Sequence, residues 1–221
     1  MNNDFDSRAL GRADCFAQRF MRPGDYRYAV VPGHGQLLST DYPFVIHVGV
    51  GKSKKGDDIV QHHVRVTQGE RGLTVVPATL TIGVGDMVMW NGGGNVPLAI
   101  VGEAYFFNSY QMVNECGFSH AFGLAGTYEW RDAFGSGLSG RVHVSDPDCK
   151  KDPDLKKWRA ALGEGTVVMI ADGKVDKRDI KIMTGQTVFF AIVKTDGISI
   201  TDSRLIGQSW MHPDPCQSMA A

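Results

Sequence analysis

The stretch ATLTIGVGDMVMW (78–90) returns as RDIKIMTGQTVFF (178–190), and this recurrence decides how the chain is read. At an offset of 100, Ile82 falls on Ile182, Gly85 on Gly185, Val88 on Val188 and Trp90 on Phe190. Apolar positions alternate on both sides of a glycine, which is the pattern of strand, tight turn and strand: strand side chains alternate faces, and glycine takes positive φ freely. Further along, PLAIVG (97–102) lies over GISITD (197–202), with Ile100 on Ile200. Toward the N-terminus, CFAQRFMRPGDYRYAVV (15–31) matches CGFSHAFGLAGTYEWRDA (116–133) at an offset of 102. Gly24 meets Gly126, Tyr26 meets Tyr128 and Tyr28 meets Trp130, while FVIHV (44–48) parallels GRVHV (140–144) with His47 on His143.

These matches predict an all-β chain of two similar units with an unusual frame. Residues 56–146 hold one complete copy. The segment 13–50 holds the last part of a copy and 164–206 the first part, so the second unit is expected to assemble from both chain ends. Closure within one chain and head-to-tail closure with a neighbour both satisfy the pattern. Within a chain the two pieces meet at an effective concentration near ~1 mM, which favours intrachain closure. Residues 147–163 read as a helical linker. Asp152 suits an N-cap, Pro153 the first helical position, and Leu155, Trp158 and Leu162 recur on one face, predicting a helix over 153–162.

Composition narrows the function. The 221 residues carry a formal net charge of −1, with 43% hydrophobic and 21% charged residues. That length allows one large domain or two of ~100 residues, each able to bury a core without metal or disulfide clips. Near-neutral charge gives no footprint for nucleic acid. Gly at 27 of 221 exceeds the ~7% norm and fits many tight turns. No run approaches the ~18 apolar residues of a membrane span. MNNDFDSRAL lacks the apolar core of a signal peptide, so the chain is expected to stay where it is made: cytoplasmic, or peripheral on the cytoplasmic side of a membrane. Cys15, Cys116, Cys149 and Cys216 form no C-x-x-C and are expected as free thiols.

Residues 63–144 resemble the cupredoxin family, the plastocyanin-like β-sandwich. The entry pattern of that family, a strand, a Gly-Asp turn and a strand ending in Trp-x-Asn, is present loosely as VVPATLTIGVGDMVMWNGGGNVP. The exit pattern, an Ala-Gly-Thr-Tyr turn, a ligand loop and a closing strand, is present as GLAGTYEW-RDAFGSGLSG-RVHV. The resemblance implies two cupredoxin-like Greek-key sandwiches joined by a short helix. It also implies copper, held by two His, one Cys and an axial Met, because soft sulfur and imidazole donors stabilise Cu(I). The matching positions in the central copy are Leu98, Trp130, Ala133 and Leu138, none a metal ligand. In the other copy they are Ile198, Tyr28, Val31 and Gln36. His34 lies in that loop without a thiolate partner.

Two meanings follow for the vacated positions. They are a plugged core, or an apolar docking patch at the end of the sandwich where the family meets its electron-transfer partners. Trp130, Phe134, Tyr105, Phe106, Phe107 and Met112 are the candidates for such a patch. Other sites are weaker. His62 and His63 are adjacent on a strand and face opposite ways. Met112, Cys116 and His120 form a soft-ligand cluster only if their segment is a loop that folds back. WNGGGN (90–95) lacks a GK[ST] and opens no helix, and Asp202, Ser203 and His212 have no triad spacing. No acid, base and nucleophile set suggests an enzyme. The expectation is a metal-free scaffold or assembly subunit, without cofactor. It would bind subunits of a larger protein complex, and by analogy with the family that complex is a respiratory or photosynthetic membrane assembly. The alternative is an electron-transfer or metal-handling protein with a non-standard site.

Overall fold

The computed structural model describes residues 4–33, 41–51, 58–69, 72–92 and 96–207, apart from the side chain of Tyr105. The described residues form an all-β protein with one α-helix. The strands are β1 (Asp14–Arg19), β2 (Gly24–Pro32), β3 (Phe44–Val48), β4 (Gln61–Gly69), β5 (Gly72–Val76), β6 (Thr79–Ile82), β7 (Met87–Gly92) and β8 (Leu98–Gly102). The same series follows as β9 (Met112–Ala121), β10 (Gly126–Arg131), β11 (Ser139–Ser145), β12 (Thr166–Ala171), β13 (Lys174–Val175), β14 (Asp179–Met183), β15 (Thr187–Ile198) and β16 (Thr201–Asp202). The helix α1 (Asp152–Ala161) separates β11 from β12.

An eight-stranded sheet runs β13-β12-β15-β9-β1-β7-β4-β5, and two four-stranded sheets run β6-β3-β2-β8 and β14-β11-β10-β16. The paired motif that opened the sequence reading becomes β6–β7 and β14–β15. Gly85 and Gly185 occupy equivalent turns at φ 89° and 90°. Each donates its N–H to a phenylalanine carbonyl, Phe20 or Phe122, at 2.7 Å. Inward residues build the core in the same way twice. Phe16 stacks on Trp90 (5.6 Å), which meets Tyr28 edge-on (5.4 Å). Phe118 stacks on Phe190 (6.3 Å), which meets Trp130 edge-on (5.4 Å).

The strand pairing does not follow the expected frame. Residues 13–50 do not close with 164–206: β2 pairs with β3 and β8, and β3 pairs with β6. Likewise β10 pairs with β11 and β16, and β11 with β14, so 56–146 is not a closed unit. Each sandwich is therefore contiguous, β1–β8 and β9–β16. The piece that crosses over is small. Asp202 N donates to Phe5 O (2.9 Å), Ser7 N to Ile200 O (2.9 Å), and Ile200 N to Ser7 Oγ (3.1 Å). In the mirror arrangement Gly102 N donates to Phe107 O (2.7 Å), Ser109 N to Ile100 O (3.0 Å), and Ile100 N to Ser109 Oγ (3.1 Å). The copies thus begin at FDSRAL (5–10) and FNSYQM (107–112); residues 5–7 and 107–109 bond to the other copy's sandwich, while Leu10 pairs with Leu98 and Met112 with Ile198 in their own.

The two copies join through β1 and β9, which run antiparallel with Phe16 opposite Phe118. At the repeat offset of 102 these residues are equivalents of each other, so the seam has local twofold symmetry. The helix forms almost where proline and spacing predict. Its N-cap is Lys151, with no side-chain cap, rather than Asp152, which sits in the first turn and complements the helix dipole. It lies inside the second sandwich and is not a linker between copies. Trp158 ties it to the turn after β14 by donating Nε1 to Thr184 O at 2.7 Å.

Candidate functional site

The positions that match copper ligands in the resembled family separate into two places. Leu98 begins β8 in the first sandwich, in line with Pro32 of β2. Trp130, Ala133 and Leu138 belong to the second sandwich, where the repeat counterpart of Leu98 is Ile198. Leu98, expected to meet Trp130 and Leu138 at one end of a single sandwich, therefore does not, because β8 pairs with β2 and not with β10. Leu98, Ile198, Tyr28, Trp130 and Leu138 are all buried, as is Val31, and Ala133 is half-buried. Tyr28 carries a phenol pushed up to about 12 by burial. His34, Gln36, His212 and Cys216 lie outside the described residues.

The expected docking patch also divides. Trp130, Phe107 and Met112 are buried, so they belong to the core. Phe107 reaches across from the second copy to stack on Trp90 at 5.6 Å. Phe106 and Phe134 remain exposed, at 61% and 40%. Phe106 leans on Tyr26 (4.9 Å), and Phe134 on Tyr110 (5.4 Å), itself half open to solvent. The Tyr105 side chain lies outside the described residues.

Met112, Cys116 and His120 do not cluster, because their segment is the strand β9 and not a folded-back loop. Successive members are four residues apart on one face, about 13 Å along an extended chain. Burial pushes the Cys116 thiol up to about 12, away from the thiolate a metal would need. His62 reaches Asp86 (3.3 Å), while His63 is exposed. No group of three His, Cys, Asp or Glu side chains able to hold a metal occurs among the described residues.

One arrangement has no signature in the sequence. His120 Nδ1 lies 2.6 Å from Asp14 Oδ1 at the seam between copies, and both side chains are almost fully buried. Desolvation raises the Asp14 pKa against the pull of His120 and the Gly11 N–H. His120 Nε2 has no hydrogen-bond partner, and the ring lies against Phe5 and Phe122, at 5.2 and 4.6 Å. This pair bolts the seam.

A polar concavity lies on the second sandwich, a cleft of about 270 Å³ bordered by Glu129, Arg131, Arg141, Arg178, Asp179 and Ser203. Trp130 and Gly140 back it. A Cβ on Gly140 would come within 2.7 Å of both Trp130 Nε1 and Arg178 O, so glycine is what admits the indole here. Below it a buried network continues: Ser199 Oγ accepts from Ala133 N (2.9 Å) and bonds Thr201 Oγ1 (2.9 Å), which donates to Asp6 Oδ1 (3.1 Å). Burial alone would raise the Asp132 pKa, but N–H donors of Ser199, Ser136 and Phe134 outweigh it and hold the carboxyl below its ordinary value. No helix among the described residues is long and apolar enough to cross a membrane. No family model, no curated protein and no solved structure matches the chain.

Proposed function

We propose that the chain is a metal-free tandem of cupredoxin-like Greek-key sandwiches, acting as a docking subunit of a larger protein assembly rather than as an enzyme. The observation that carries this reading is the filling of the ligand positions. Leu98 and Tyr28 in the first sandwich, and Ile198, Trp130 and Leu138 in the second, are buried core side chains without a soft donor, while Val31 is buried on the opposite face of β2 with Ala29 and Ala99. On this reading each copy keeps its strand plan and packs core side chains where the family would hold a metal. Packing of that kind stabilises by ~1.5–3 kcal/mol per fully buried side chain. Exposed Phe106, resting on the half-buried Tyr26, and the exposed pair Phe134–Tyr110 supply aromatic contact area of the kind enriched at protein interfaces. An assembly of respiratory or photosynthetic type follows from the resemblance alone.

The test is metal analysis of protein purified from copper-supplemented cells, together with the size of the native chain in a gentle extract. The reading expects no stoichiometric copper and no thiolate–copper absorbance, with the native chain eluting well above its own 24.1 kDa. Stoichiometric copper, or a native chain that elutes as a free monomer, refutes it.

A further inference from the structure

The two sandwiches provide an internal control for the cleft, because their registers coincide. Trp130 faces Gly140 as Tyr28 faces Phe44, and Arg141 faces Asp179 as Val45 faces Thr79. Arg141 N donates to Arg178 O as Val45 N donates to Ala78 O. Carried into the first sandwich, the arginines at 131, 141 and 178 become Ala29, Val45 and Ala78. Three separate stretches of sequence have thus acquired a guanidinium at one concavity, and none of the three counterparts has one. The fold does not require these arginines, since the first sandwich closes without them.

We infer that this cleft is a binding site for a small phosphomonoester bearing hydroxyl groups, independent of the docking role above. Arg141 is paired with Asp179 (2.9 Å), but Arg131 and Arg178 make no ion pair among the described residues. The Ser203 Oγ is buried without a hydrogen-bond partner at the same cleft. Guanidinium forks match phosphate oxygens in pairs, and three of them suit a dianion with three terminal oxygens better than a single carboxylate. The carboxylates of Glu129 and Asp179 on the same rim accept hydrogen bonds, so they suit the hydroxyls of the alcohol portion. The volume of about 270 Å³ falls just below the ~300–1,000 Å³ typical of small-molecule sites, which suits a small ligand.

Calorimetry at fixed ionic strength, with glucose 6-phosphate, inorganic phosphate and glucose as probes, tests this directly. Glucose 6-phosphate is expected to bind saturably with a Kd at or below about 1 mM, more tightly than inorganic phosphate, and glucose not at all. The double variant R131A/R178A should weaken binding by about tenfold or more with unchanged circular dichroism, and Arg178→Gln alone should weaken it to a lesser degree. Arg27→Ala, an exposed change on the first sandwich, should leave binding intact. The proposal is overturned if glucose 6-phosphate gives no saturable heat, or if R131A/R178A and Arg178→Gln bind as the parent does. Retention on phosphatidic acid vesicles without binding of the soluble ester would also overturn it, by assigning the arginines to a lipid surface.

Discussion

The first sandwich sets Tyr28 opposite Phe44, and the second sets Trp130 opposite Gly140. On the facing sheet the exchange runs the other way, with Trp90 in the first and Phe190 in the second. Both cores are filled, but the largest ring comes from β7 in one and from β10 in the other. Close packing fixes the total volume and tolerates redistribution among contacting positions. The surfaces above these cores were freer to part. Over Gly140 lies a charged cleft, whereas Phe44, buried to 1%, sits in the register position that Gly140 holds.

The largest expected effect tests whether the leading arms belong to the opposite sandwich. Phe5→Ala and Phe107→Ala each remove a buried ring and should cost about 3–5 kcal/mol. Hydrogen exchange should then speed in β10 and β16 for Phe5→Ala, and in β2 and β8 for Phe107→Ala. Loosening confined to the mutated copy's own sandwich would break the crossed arrangement.

A smaller effect concerns the exchanged core volumes. Gly140→Phe forces a ring against Trp130 and should destabilise by about 3 kcal/mol. Combining it with Trp130→Tyr recreates the pair of the first sandwich and should recover about half of the loss. A double variant no better than the sum of the singles would show that the copies do not share packing rules, because contacting sites are expected to couple.

Acid should separate the two sandwiches by an intermediate amount. The counterpart of Asp132 in the first copy is Val30. The Asp132 carboxyl is held below its ordinary value, so its stabilisation is complete above the unfolded pKa of ~3.9 and is lost as pH falls through the lower folded value. Asp132→Asn should therefore cost about 1–2 kcal/mol near neutral pH, and the gap should close below about pH 4 in urea titrations. A gap that persists at pH 2 would show that the hydrogen bonds depend little on charge. The least effect belongs to Asp25, whose exposed contact with His47 is replaced in the second copy by Thr127 with His143. Asp25→Thr should change stability by no more than about 0.5 kcal/mol in the same titrations.

The two matching turns were legible because Gly85 and Gly185 and the alternating residues around them must keep their type to make the same turn and the same buried face. The frame was not. FDSRAL and FNSYQM share only Phe and Ser, and their partnership is with backbone groups of the opposite copy, which leaves little trace in side-chain identity. A tandem repeat also has no marked start, so residues 63–144 read naturally as one closed unit. Whether β1 or β9 lies beside β7 depends on pairing between strands about 100 residues apart. The placing of Leu98 apart from Trp130 was not legible either, since β8 pairs with β2 and β10 with β11 and β16. The arginine cleft was invisible for the same reason: positions 131, 141 and 178 meet only through the order β14-β11-β10.

The seam at Phe16 and Phe118 has a consequence for how such a molecule could arise. A strand edge that pairs with its own repeat equivalent about a twofold axis is self-complementary, so a chain holding one copy alone could make the same contact with an identical chain. Its arms would then be exchanged between subunits, and its integrity would depend on dilution. Joining two such chains end to end through 103–106 makes the contact permanent at any concentration. It also releases the halves from identity, so that Asp14 and His120 can meet at one end of the seam while Gln18 and Cys116 face each other at the other. A symmetric dimer cannot place an Asp–His pair at one end of its axis without repeating it at the other; a fused one can.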